Sequence, residues 1–225
     1  MTLIIDNLKD IQLNINAACE KVGRDPKEVQ IIAVTKQVPT ERAEEALAAG
    51  LIHLGENRPE PLLEKQQHIT NGAVWHYIGT LQTRKVRKVI DHVDYIHSLD
   101  RLSLAEELDK RATKKIQCFV QVNVSEEDSK HGLKVEEVLP FIKSLTPYSN
   151  LSVIGLMTMA PNTEDESIIR QTFKGLKQLQ QQIINQQYEH APCTELSMGM
   201  SHDYAIAVEE GATFVRIGTA LVGLD

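Results

Sequence analysis

The chain has 225 residues, with 24 Lys and Arg against 31 Asp and Glu, a net charge of −7. A hydrophobic share of 42% with 24% charged residues excludes disorder as the main state, because there is ample apolar material to bury. No apolar run approaches the ~18 residues of a membrane span, residues 1–6 show no basic leader with an apolar stretch, and the acidic balance disfavours a nucleic-acid coat.

Read in chain order, the pattern is strand then helix. Leu8, Ile11, Ile15, Ala18 and Val22 recur at helical spacing and stop at Gly23. Residues 29–35 form a short, nearly continuous apolar run, as in a strand buried on both faces. An alanine-rich helix follows over 40–49 and ends at Gly50. The alternation continues with a strand at 51–54, a helix to about residue 69, and a strand at 74–78. A helix then runs through Val86, Val89 and Ile90. A strand at 95–99 precedes a helix that Asp100 can cap. Next come a strand at 116–124, a helix over about 134–145, and a strand at 151–156. A long helix carries Ile169, Phe173, Leu176, Leu179 and Ile183 on one face. A short strand at 195–197, a helix over 203–210 and a last strand at 213–217 complete the series.

Eight strands alternating with helices imply a parallel sheet, and the length suits a single α/β domain over 1–225, a (β/α)8 TIM-type barrel with an additional N-terminal helix. An open doubly wound sheet is the rival, but no GxGxxG follows the first strand. Too few residues follow Ile217 for a full eighth helix. The N-terminal helix is therefore expected to cover the gap between the last and first strands. Cys19, Cys118 and Cys193 are widely separated and form no CxxC pair. They read as free thiols in a reducing cytoplasm, Cys118 as a core residue.

A barrel places its chemistry at the C-terminal ends of the strands. Lys36 directly follows the first strand. It is either a surface lysine or an amine in the barrel mouth, and a desolvated amine there is a nucleophile suited to a Schiff base. Ser197 to Asp203 and Gly218-Thr219 follow strands seven and eight, where barrel phosphate sites are often built. Ser201 either binds an anion with neighbouring backbone N–H groups or caps its helix. His53, His76, His97, His131 and His202 show no metal-ligand spacing, so no metal is expected. Glu126-Glu127-Asp128 reads as a solvated loop. The cluster Arg84, Lys85, Arg87 and Lys88 reads as a solvated helix face, with an anion or partner patch as the alternative.

Taken together, Ala33-Val34-Thr35-Lys36, Gly55-Glu56-Asn57, Trp75 to Gln82, Gly155-Leu156-Met157, Leu196 to Asp203 and Val215 to Thr219 resemble the YggS/PROSC family of pyridoxal-phosphate homeostasis proteins. The chain is similar, more distantly, to the barrel domain of alanine racemase. The resemblance implies a barrel holding pyridoxal 5'-phosphate as an aldimine of Lys36. It further implies that Ser201, Gly218 and Thr219 bind the phosphate and that Arg216 faces the pyridine nitrogen. Asn57 and His76 would line the pocket. Residues 58–61, Arg-Pro-Glu-Pro, depart from the family's aromatic and Gln-Glu pattern there. The expected function is intracellular cofactor homeostasis without efficient catalysis: a cytoplasmic monomer that binds no nucleic acid or membrane and serves pyridoxal-phosphate-dependent apoenzymes. A racemase is a rival, but no second domain carrying the racemase tyrosine follows the last strand. A cofactor-free Schiff-base aldolase and a barrel kept as an interaction protein are the other rivals.

Overall fold

The computed structural model of the chain describes residues 4–125, 127 and 131–223. Among these, eight parallel strands close in sequence order into a barrel. They are β1 Gln30–Val34, β2 His53–Glu56, β3 Val74–Tyr77, β4 Tyr95–Leu99, β5 Ile116–Gln121, β6 Leu151–Met157, β7 Glu195–Ser197 and β8 Phe214–Ile217. The helices between them are α2 Thr40–Ala48, α3 Pro59–His68, α4 Val86–Val89, α5 Leu102–Arg111, α6 Val135–Ser144, α7 Glu166–Ile184 and α8 Tyr204–Glu209. Helix α1, Ile4–Val22, precedes the barrel, and α9, Thr219–Val222, follows β8. No described helix is long and apolar enough to cross a membrane.

The barrel closes where β1 pairs with β8, Gln30 opposite Phe214 and Ile32 opposite Arg216. Helix α1 packs beside α8 and α9 over this seam, the place expected for the extra N-terminal helix. It buries Ile4, Leu8, Ile11, Ile15 and Ala18. Asn7 Nδ2 donates to Leu221 O at 2.9 Å, and Asn14 Nδ2 to the Tyr204 hydroxyl at 2.9 Å. The single turn of α9 has no counterpart in the hydrophobic pattern.

Most apolar side chains fill the layer between strands and helices, and all three cysteines are free and buried. The barrel interior is unusual. Ile32, Phe119, Met157 and Phe214, flanked by Tyr95 and Ile154, share it with three histidines and Arg216. Barrel interiors are more often layered with Val, Ile and Leu.

Several boundaries differ from the sequence pattern for local reasons. β2 starts at His53 rather than Leu51, because Leu51 N still bonds Ala46 O in the helix-ending turn at Gly50, φ +92°. β5 ends at Gln121 rather than residue 124, because Val122 and Asn123 turn to meet Leu133. The expected helix through residue 90 is broken into α4 flanked by 3-10 turns at Thr83–Lys85 and Ile90–His92. Asp100 does not cap α5. Arg101 holds that position, reaching Leu81 O at 2.7 Å and drawing the Asp100 carboxylate to its own Nη1 at 2.6 Å. Of the basic cluster, Arg84, Arg87 and Lys88 are exposed and Lys85 is half-buried. Of the acidic run at 126–128, only Glu127 lies within the described residues.

Candidate functional site

Three neighbouring strand ends bring the expected ligand groups together. β7 pairs with β8 and β8 with β1, so Ser201, Gly218-Thr219 and Lys36 leave the barrel side by side. Lys36 follows buried Thr35 and is exposed. The chain turns there, with Gln37 at φ 67°, and the side chain is not sequestered from water as a desolvated amine would be. Ser201 is half-buried, and its Oγ accepts from Ala220 N at 3.4 Å. It thus ties the loop after β7 to the first turn of α9 instead of capping α8. The N-cap of α8 is Asp203, whose Oδ1 accepts from Met200 N at 2.5 Å. Gly199 makes this turn possible: it sits at φ +91°, and a Cβ there would come 2.5 Å from the Ala207 Cβ. At Gly218 a Cβ would meet nothing closer than Val34 at 3.6 Å. Neighbouring side chains therefore do not require glycine there.

Below this rim lies Arg216 on β8, almost fully buried. Nη1 donates to Ser197 Oγ at 2.6 Å and Nη2 to Thr158 O at 2.9 Å, two of the five N–H donors a guanidinium offers. Burial pushes its pKa down to about 10, against the opposing charge of Asp203, so it stays cationic at neutral pH. From Ser197 the polar groups continue downward. His97 Nδ1 lies 2.9 Å from Ser197 Oγ, His76 Nδ1 lies 2.9 Å from His97 Nε2, and His53 Nδ1 lies 2.9 Å from His76 Nε2. His76 stacks on Tyr95 and His97 on Phe119, with centroids 4.4 and 4.3 Å apart. Burial holds His97 and His76 well below the ordinary histidine value, helped by His76 and Arg216 for the first and by His53 for the second. His76, expected to line the ligand pocket, sits in the barrel interior beneath Ser197 and His97. The ring is fully buried and both its nitrogens are engaged by other histidines. Alternation on β3 turns Tyr77 outward into the helix layer, where burial raises its hydroxyl to about 12. Tyr204 packs its ring and accepts from Asn14.

The second strand end holds a different arrangement. Asn57 is half-buried at the rim, and the chain just after β3 passes close to it. A Cβ at Gly79 would lie 2.4 Å from Asn57 O. Glu56 points the other way, toward α3. Its Oε1 accepts from Thr35 Oγ1 and Lys65 Nζ, both at 2.7 Å, and Lys65 Nζ also donates to Thr35 O at 2.8 Å. The side chains of Glu56 and Lys65 are 0% and 4% exposed. Pro59 opens α3 at a position that needs no N–H donor, so the departure at 58–61 starts this helix cleanly. Sequence reasoning missed Lys65. A lysine in an amphipathic helix signals a surface, and nothing local marks a buried partner 9 residues earlier. It also treated the interior histidines singly, whereas the barrel joins them.

The profile of the family described as alanine racemase, N-terminal domain, matches residues 7–225. A pyridoxal phosphate homeostasis protein of Aquifex aeolicus is 38% identical over 222 residues, covering 97% of this chain and 96% of the relative. One from Escherichia coli K12 is 34% identical over 231 residues, covering 99% and 97%. Among solved structures, PipY of Synechococcus elongatus with PLP bound superposes with a TM-score of 0.85 at 33% identity, covering 98% of this chain and 100% of that one. An alanine racemase of Clostridium difficile shares the fold, with a TM-score of 0.74 at 15% identity and 56% of its length covered. With matched residues spanning nearly the whole chain and relatives matched end to end, the protein belongs to the pyridoxal phosphate homeostasis protein family, within the alanine racemase N-terminal domain group.

Proposed function

We propose that the protein binds pyridoxal 5'-phosphate through a Schiff base to Lys36 and serves cofactor homeostasis in the cytoplasm, without efficient turnover of amino acids. The observation that carries this reading is the meeting of Lys36, Ser201, Gly218-Thr219 and Arg216 on three adjacent strand ends. The residues fit the group chemically. An exposed amine reaches an incoming aldehyde, two hydroxyls and a loop with room at Gly218 suit a phosphate dianion, and a buried guanidinium suits a ring nitrogen. Relatives named for this function match over the full chain, and a neighbour at 33% identity was solved with PLP.

The same residues argue against strong catalysis. When bound, the cofactor supplies an electron sink for carbanion chemistry. Arg216 is cationic and can only donate, so it leaves a ring nitrogen unprotonated and weakens that sink. Two-base racemisation also needs a group on each face of the substrate α-carbon. Tyr77 and Tyr204, the tyrosines nearest in sequence to the pocket motifs, are buried in the helix layer. In this reading the protein acts as a monomer that hands the cofactor to apoenzymes.

Titration of the purified protein with pyridoxal 5'-phosphate tests the reading: a band at about 420 nm is expected from the lysine-linked cofactor. A protein that stays colourless refutes it. L-Alanine incubated with the loaded protein in heavy water should show negligible α-hydrogen exchange and no D-isomer. Racemisation at enzymatic rates would assign it to the racemases instead. Ser201→Ala should weaken cofactor binding by roughly ten- to a hundredfold, the ~1.5–3 kcal/mol of one hydrogen bond to a charged group. An unchanged affinity by equilibrium titration would leave Ser201 as a tie to Ala220 N alone.

A further inference from the structure

The row of histidines through the barrel has no part in the reading above, yet it ends on the residue that faces the cofactor. Its geometry fixes more than contact. Arg216 is a donor only, so Ser197 Oγ accepts at 2.6 Å. Ser197 has one hydrogen of its own. If His97 also donated to Ser197, the oxygen would accept from both sides and its hydrogen would have no acceptor in the row. The hydroxyl therefore donates to His97 Nδ1, at 2.9 Å. A neutral imidazole carries one N–H, so His97 bears it on Nε2 and donates to His76 Nδ1. By the same rule His76 donates from Nε2 to His53 Nδ1, and His53 keeps its hydrogen on Nε2. Each link then has one donor and one acceptor, and every link runs away from Arg216.

This direction has an electrostatic consequence. Each acceptor lone pair points toward the arginine, so four aligned dipoles present their negative ends to a buried cation. Bonds in such a row polarise one another in a low-dielectric interior. A carboxylate in direct contact would pair the guanidinium; the row stabilises it through neutral groups, adding no further negative charge to that of Asp203. Neutral rings are what the burial of His97 and His76 favours.

We propose that Ser197, His97, His76 and His53 are positioning residues for Arg216: a hydrogen-bond relay of one proton direction that holds the guanidinium toward the ring nitrogen of bound pyridoxal 5'-phosphate. The cofactor itself is taken from the function proposed above; the proton direction is not.

Two measurements test the relay. The first is nitrogen NMR on wild-type protein with labelled histidine at neutral pH, without and with pyridoxal 5'-phosphate. His53, His76 and His97 should all be neutral with the proton on Nε2. A proton on Nδ1 of His97, or a charged His97, overturns the relay. The second compares His97→Phe with His97→Gln. Phenylalanine keeps a ring to stack on Phe119 but removes the acceptor. Glutamine retains one acceptor and one donor in line. His97→Phe should bind pyridoxal 5'-phosphate about tenfold more weakly, the effect of one lost hydrogen bond, with a displaced visible band. His97→Gln should recover both the affinity and the band. Wild-type affinity and spectrum in His97→Phe overturn the relay and leave cofactor binding standing. A colourless wild type overturns cofactor binding itself, whatever the tautomers. Should His97→Phe fail to fold, the tautomers of the wild type still decide the proton direction.

Discussion

Lys36→Ala is expected to abolish the covalent adduct that borohydride fixes between the protein and pyridoxal 5'-phosphate, while weaker non-covalent binding persists through Ser201, Gly218 and Thr219. Only an amine can form the imine that hydride reduces, so the effect is all or none in peptide mapping. The structure sharpens the assignment because a second lysine stands close by. Lys65 Nζ lies 2.8 Å from Thr35 O, the carbonyl just before Lys36. Lys65, however, is buried and commits its ammonium to Thr35 and to Glu56. Lys36 is exposed at the rim. The reduced cofactor should therefore map to the peptide containing Lys36 and vanish in Lys36→Ala. Recovery of the label on Lys65 or Lys85 would refute the assignment.

Lys65→Met should destabilise the fold by about 3–5 kcal/mol, the usual cost of leaving one member of a buried ion pair without its partner. Total stabilities are only about 5–15 kcal/mol, so urea midpoints should fall far. Glu56 Oε2 already lacks a hydrogen-bond partner among the described residues, so the carboxylate has little other support once Lys65 is gone. The double variant Lys65→Met/Glu56→Gln should recover a large part of the loss, since removing both charges removes the stranded one. A loss below ~1 kcal/mol in the single variant would place the pair with surface bridges, which contribute about that much or less. The same knot fixes the turn before Lys36. Glu56 accepts from the Thr35 hydroxyl and Lys65 donates to its carbonyl, so loosening should appear in hydrogen exchange at residues 35–38 before global unfolding.

The sequence by itself determined the architecture. Eight apolar runs such as residues 29–35 and 95–99, spaced by amphipathic helices, leave little besides a closed parallel barrel, because strands buried on both faces need helices outside and neighbours on each edge. It also located the rim. A polar residue directly after such a run has to leave the barrel at its C-terminal end, which is how Lys36, Ser201 and Gly218-Thr219 could be named from order alone. Strand alternation further separated His76 from Tyr77. Tertiary structure alone decided what these side chains meet. Lys65 looks like any helix-surface lysine until α3 lies over β1 and β2 and presses it onto Glu56. The single turn of α9 follows from local backbone bonds that no hydrophobic period records. The histidines of β2, β3 and β4 are each 21 to 23 residues from the next, and Ser197 lies 100 residues beyond His97. Hydrogen bonding is short-ranged and directional, so groups this distant in the chain acquire a common proton direction only when closure of the barrel sets them 2.9 Å apart.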